Sequence, residues 1–214
     1  MITPGEDARW DTLLPLLPTE VSQRAAVDYD KDSGAYVVKS FGLLYQFTPQ
    51  DRQIAPCTLK DRQPQHPQLQ EPQQEMLLTR FAYFYRSASL WYLTGAREIP
   101  PSNHLVPPEG LKDGEMFFKG GHTLPLNKLA DRFGTDRAGF LQRGRELGGE
   151  QVPFGDVAIR LFPFPRVPVV LILWLEDDEF PARVNLLFDS TCEFHLPLDM
   201  NWNVAMMCAL MMLV

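Results

Sequence analysis

VPVVLILWLEDDEFPARVNLLFD, Val167–Asp189, is the stretch on which the reading of the fold turns. Val167–Leu175 is apolar at every position but the prolyl one, which predicts a central strand covered on both sides. Ala182–Phe188 alternates instead, with Val184, Leu186 and Phe188 inward and Arg183 and Asn185 outward. Between them stand four consecutive acids, Glu176, Asp177, Asp178 and Glu179. So short a connection favours an antiparallel pair, because parallel strands need a crossover of roughly a dozen residues or more.

Working outward, Phe154–Phe162 alternates through Val157, Ile159 and Leu161 and adds a third strand to a C-terminal meander. Tyr36–Phe47 is β-branched and aromatic around Gly42, which predicts an N-terminal hairpin. Helical spacing fills much of the rest. Trp10, Leu13, Leu14 and Leu17 mark a first helix, and Thr19 is placed to cap a second that ends near Ala26. Over Glu75–Leu93 the residues Leu77, Phe81, Phe84, Ala88 and Trp91 recur at alternating spacings of four and three, a broad stripe that predicts one core helix. Pro125 is placed to open a helix through Leu129 and Phe133, and a further helix runs from Thr135 or Asp136 to Gly148-Gly149. Glu115–Gly120 reads as a short strand and Pro197–Val214 as a closing helix, whose apolar run Val204–Val214 is too short to span a bilayer and reads as buried core, with a membrane-dipping tail as the alternative. Gln and Pro dominate Thr48–Gln74, which reads as a long loop. The class is therefore α+β: an antiparallel sheet, C-terminal meander plus N-terminal hairpin, packed with helices in one domain over residues 1–214.

A chain of 214 residues buries a full core without staples. Its formal net charge is −7 and it has no basic run, which argues against nucleic acid and anionic membrane as partners. Cys57, Cys192 and Cys208 are odd in number and far apart, which points to a reducing cytoplasm rather than a disulfide framework. They form no self-contained zinc or iron–sulfur motif. The N-terminal residues MITPGEDARW lack the apolar core of a signal peptide.

LWLEDDEFPARVNLLFDSTCEFHLPLD, Leu173–Asp199, resembles the C-terminal signature of an uncharacterised prokaryotic family, the domain of unknown function numbered 3786. The resemblance continues through Phe164–Pro168, Gly155–Asp156, Leu147–Gly149 and Arg132–Gly134, over the last half to two-thirds of the chain. Members of that family occur mostly in anaerobes, and some are linked to a small iron–sulfur module of the kind seen in corrinoid proteins. The resemblance thus implies an accessory role beside an iron–sulfur or corrinoid partner, although this chain carries no Cys-rich module of its own.

Four groups of residues could carry chemistry. The acids at Glu176–Glu179 repel one another and must be solvated, paired or bound to a hard cation. A wet hairpin turn with Arg183, Arg166 or Arg160 as partners is one reading, a Ca²⁺ or Mg²⁺ site a second, and a carboxylate used in catalysis or in docking a basic partner a third. His122 follows two glycines and precedes a helix, so it is a candidate base or ligand, or a histidine that simply packs. Asp189, Cys192, His195 and Asp199 look like a ligand or nucleophile set, but in an extended chain Cys192 and His195 would face opposite ways. Arg166, between prolines, suits a carboxylate or phosphate, or a sheet-edge ion pair. The ligand-binding candidates are thus His122, Arg166, Asp178, Glu179 and Asp189, and the weak metal candidates His122, Glu176, Asp178 and His195. The expected function is a binding or accessory module with a protein partner. The alternative is an enzyme that pairs His122 with the acids near Asp178. A shared cavity holding His122, Glu179 and Asp189 would favour the enzyme, and an exposed apolar patch the module.

Overall fold

In a computed structural model, which describes residues 5–57, 71–119 and 121–214, the strands fall into two antiparallel sheets. The first is a meander of β1 (Asp28–Asp30), β2 (Ala35–Ser40), β3 (Leu43–Thr48) and β4 (Gln53–Pro56). The second contains β5 (Leu105–Val106), β6 (Glu150–Val152), β7 (Val157–Phe164), β8 (Val167–Trp174) and β9 (Arg183–Asp189), in the order β5-β9-β8-β7-β6. The helices are α1 (Glu6–Leu13), α2 (Pro18–Ala25), α3 (Glu71–Leu78), α4 (Ala82–Gly95), α5 (Gly114–Phe117), α6 (Leu126–Phe133), α7 (Arg137–Glu146) and α8 (Leu198–Met212). The α+β class and the antiparallel meander read from Val167–Asp189 are both present. No helix among the described residues is long and apolar enough to cross a membrane.

The hairpin turn joins the two sheets. Phe41 and Gly42 both take left-handed backbone, at φ 49° and 77°, the conformation that matches the strand twist in a two-residue turn. The strain at Phe41 is offset by its full burial and by its N–H, which donates to the Phe162 carbonyl at 2.9 Å. Next to it the Ser40 hydroxyl donates to the Pro163 carbonyl at 2.6 Å. Gly148 backs onto the same turn, where a Cβ would lie 2.6 Å from the Gly42 Cα. One core cluster consequently runs through both sheets, with Tyr45 and Phe47 of β3, Tyr85 and Tyr92 of α4, and Phe164 of β7 in it. Tyr92 and Phe164 stack at 4.8 Å.

Several expectations need correction. The helix read over Glu75–Leu93 is two helices, α3 and α4. The Thr79 hydroxyl bonds back to the Glu75 carbonyl at 2.7 Å, and the Phe81 N–H reaches the Met76 carbonyl, five residues back. The apolar stripe continues across this break because both helices face the same core. The strand read over Glu115–Gly120 is absent from residues 115–119, while Gly120 lies outside the described residues: Gly114–Phe117 is the short helix α5, packed by Phe118. The Thr48–Gln74 loop contains β4 at its start and α3 at its end, while residues 58–70 of that expectation lie outside the described residues. Thr19 does not cap α2, since Leu17 holds the cap position and Pro18 the first turn. Pro125 likewise sits at the cap of α6 rather than inside it.

β8 is buried on both faces, but not by helices on both. The buried apolar residues of the helices belong to the main cluster. Ala158, Val170 and Ile172 form a second, smaller cluster on the other face, covered by Leu105, Val152, Trp174 and Leu187. Side chains of neighbouring strands shield this face.

Candidate functional site

The acids form the hairpin turn between β8 and β9. Asp177 Oδ1 accepts the N–H groups of Glu179 at 2.8 Å and Phe180 at 2.7 Å, so the aspartate folds the turn itself. Glu176, Asp178 and Glu179 are exposed to water. Among the described residues no arginine pairs with them. Arg183 lies over the Trp174 ring at 4.9 Å instead, and among the described residues no group of three or more His, Cys, Asp and Glu is disposed to hold a metal ion.

Arg166 fastens α2. Its Nε donates to the Arg24 carbonyl at 2.7 Å and its guanidinium to the Gln23 carbonyl at 3.1 Å. These are the orphan carbonyls at the negative end of a helix, where a cation is favoured. The Arg166 N–H also reaches the Tyr92 hydroxyl, which donates in turn to the Ala25 carbonyl at 2.6 Å.

Asp189 is 1% exposed and surrounded by donors. It accepts Ser102 N–H and Oγ, Asn103 N–H, and Thr191 N–H and Oγ1, at 2.6–3.0 Å. Burial alone would raise its pKa; the bonds from Thr191 and Ser102 outweigh burial and hold the carboxyl below its usual range. A carboxylate so engaged is a structural anchor.

Residues 190–194 form a 3₁₀ turn, not an extended strand, so Cys192 and His195 are both buried in it. Burial pushes the Cys192 thiol well above its normal range, against the thiolate that a nucleophile needs. His195 Nδ1 accepts the Arg97 N–H at 3.4 Å, while its Nε2 has no well-formed hydrogen bond among the described residues. Burial, reinforced by the Arg166 charge, lowers its pKa to about 4, so it is neutral near pH 7. Asp199 is exposed and accepts the N–H of Met200.

His122 belongs to a row of rings on the helical side. Its imidazole stacks on Phe117 at 4.1 Å and meets Trp202 edge-on at 5.1 Å, and its carbonyl accepts the Trp202 indole N–H at 2.9 Å. Trp202 meets Phe84 at 5.7 Å, and Phe84 meets Tyr83 at 5.5 Å. Each angle but one is near edge-to-face, the arrangement favoured by ring quadrupoles. The row connects α4, α8 and the segment around α5. It reaches solvent at both ends, where Tyr83 is 55% exposed and Met116, beside Phe117, 87%. Among the described residues, no contact joins His122 to the acids of the hairpin turn.

The sequence model of the family described as Domain of unknown function (DUF3786) matches residues 18–211. The chain belongs to the DUF3786 family. That match extends well into the N-terminal part, beyond the half to two-thirds on which the resemblance rested. Comparisons with curated proteins and with solved structures give no match. Much of the signature that marks this DUF3786 chain fastens the fold. Asp156 accepts the Leu175 N–H at 2.8 Å, Arg166 caps α2, Gly148 backs onto the hairpin turn, and Asp189 anchors a loop. The aromatic row was not seen as a unit in the sequence. Phe84, Phe117, His122 and Trp202 come from four separate segments, and only the stripe on α4 hinted at it.

Proposed function

We propose that this chain is a binding module that docks a partner protein through the aromatic row. The observation that carries the reading is the exposure of Met116 and Tyr83 at the two ends of a row of packed rings. Aromatic and methionine side chains are enriched at protein interfaces. They offer large contact areas, with little conformational entropy to lose in the case of rings. Trp91 lies seven residues beyond Phe84 on α4, under the Arg9 guanidinium at 3.2 Å, and extends the same helical face. The family resemblance supplies the class of partner, a small iron–sulfur or corrinoid protein that this chain serves as an accessory. Free Cys192 and Cys208, both buried, suit a reducing cytoplasm.

The test is a titration of the chain with a small iron–sulfur protein and with a corrinoid protein, read by tryptophan fluorescence. Binding of either at micromolar strength, weakened about tenfold or more by Met116→Lys or Tyr83→Ala, supports the reading. Met116 is exposed enough that its replacement leaves the fold intact. Binding that neither variant weakens would move the interface elsewhere, and no binding by either protein would remove the proposed partner class.

A further inference from the structure

The apolar run of β8 predicts cover on both sides of the strand, and among the described residues helices supply it on one side only. On the other side Val170, Ile172 and Trp174 face outward, flanked by Leu187 of β9 and by Val152 and Leu105 on the edge strands. Val170 and Ile172 are buried by these neighbours, but Leu105, Val152, Trp174 and Leu187 are only half-buried. The turn between β6 and β7 folds over the same side, where a Cβ on Gly155 would stand 2.5 Å from Ile172 Cγ2, and it carries Phe154 at 40% exposure. Sheet surface turned to water ordinarily alternates to polar residues; the centre of this one does not.

We propose that this sheet face is the interface of a homodimer, in which a second copy of the chain packs sheet on sheet. Charge selects a second copy over another partner. Arg160 on β7 stands directly opposite Glu150 on β6, and Arg183 on β9 directly opposite Trp174. On the far side of Trp174 is Asp156, one residue before the pairing of Val157 with Leu173, with its Oδ2 on the Leu175 N–H. None of these four charged residues is in an ion pair among the described residues. An acidic partner would meet Glu150 and Asp156, and a basic one Arg160 and Arg183. A face that carries both signs in balance is complementary to itself, as the interface of a two-fold dimer must be.

The register fixes which charges meet. Packed sheets keep their strands within about 30° of each other, so the two-fold axis runs roughly along β8 and sets β9 of one copy over β7 of the other. Arg183 of each copy then faces Asp156 of the other, at the level of Trp174, and the aliphatic stem of each Arg160 covers the Leu187 opposite it. Area agrees. With about 4.8 Å between strands and about 3.4 Å per residue, the five strands present roughly 450 Å² in projection, to which side-chain relief and the Phe154 turn add. Specific dimers bury roughly 500–800 Å² on each partner. The face reaches the lower end of that range, so the dimer is a weak one, of roughly micromolar Kd. It is independent of the aromatic row, which lies on the helical side and stays free in both copies.

The experiment is sedimentation velocity of the whole chain from about 1 to about 200 μM, a range that brackets a micromolar Kd. The expected result is a shift from monomer to dimer across it. Leu187→Lys and Arg183→Asp are each expected to raise the dimer Kd about tenfold or more, and the exposed Arg183 can be replaced without disturbing the fold. Asp156→Arg should weaken self-association in the same way. Mixing the Arg183→Asp chain with the Asp156→Arg chain should restore a dimer, because both ion pairs are then complementary across the axis. Should Asp156→Arg fail to fold, the other two variants still decide. A chain that stays monomeric to about 200 μM, or a dimer whose Kd neither Leu187→Lys nor Arg183→Asp changes, overturns the proposal.

Discussion

Asp189 Oδ2 accepts the Asn103 N–H at 2.6 Å, so a carboxylate at the end of β9 holds a loop that lies 86 residues earlier in the chain. Asn103 adopts φ 60° to present that N–H, while Oδ1 takes Ser102 and Thr191. Asp189→Asn keeps the size but turns an acceptor into a donor facing donors. The expected loss is about 3 kcal/mol, read as a lower urea midpoint with unchanged slope.

His195 should make the protein acid-sensitive above the range where carboxylates titrate. Its folded pKa, about 4, lies below the ordinary 6.5. Burial is the main cause, and the Arg166 and Arg97 charges add to it against the Ile99 carbonyl and Asp189. The unfolded chain therefore binds the extra proton between those values. This contribution is intact above pH 6.5 and declines as pH falls toward 4, by up to about 3 kcal/mol. Urea midpoints measured from pH 7 to 4.5 should show that slope, and His195→Asn should flatten it. Asp189 acts in a separate window: its depressed pKa gives stability that is lost only below its ordinary value of 3.8.

In the acidic turn the two middle residues should part company. Asp178→Asn is expected to change stability by less than about 0.5 kcal/mol, since the side chain points into water. Asp177→Ala removes the acceptor of two turn N–H groups and should cost about 1 kcal/mol. A large drop for Asp178→Asn that Ca²⁺ or Mg²⁺ reverses would restore the cation reading.

Arg166→Met leaves the Gln23 and Arg24 carbonyls without their guanidinium donor. About 1–2 kcal/mol should be lost, with faster amide exchange confined to the last turn of α2. Arg166→Lys should recover only part, because an ammonium cannot reproduce the fork that reaches both carbonyls.

The sheet around Val167–Asp189 was legible because period-two alternation and an all-apolar neighbour admit few alternatives. The hairpin at Phe41–Gly42 was legible for the same reason. β1, β4 and β5 were not: with two to four residues each, they are strands only because a longer partner pairs with them. α5 was misread since Phe117 and Phe118 favour a strand locally, and packing on the 3₁₀ turn at Pro108–Gly110 overrides that preference. Among site residues, the exposure of the acids followed from their mutual repulsion. The anchoring roles of Asp189 and Arg166 did not, because their partners lie 86 and 142 residues away.

Ser40 and Pro163, joined by one hydrogen bond, are separated by 123 residues. On a ribosome adding roughly 5–20 residues each second, the β2–β3 hairpin exists for about 6–25 s before β7 is made. Throughout that interval Phe41, destined for full burial, waits uncovered at the tip of a nascent hairpin. Nascent-chain chaperones that shield such a tip should therefore matter more to the yield of this protein than any helper acting after release.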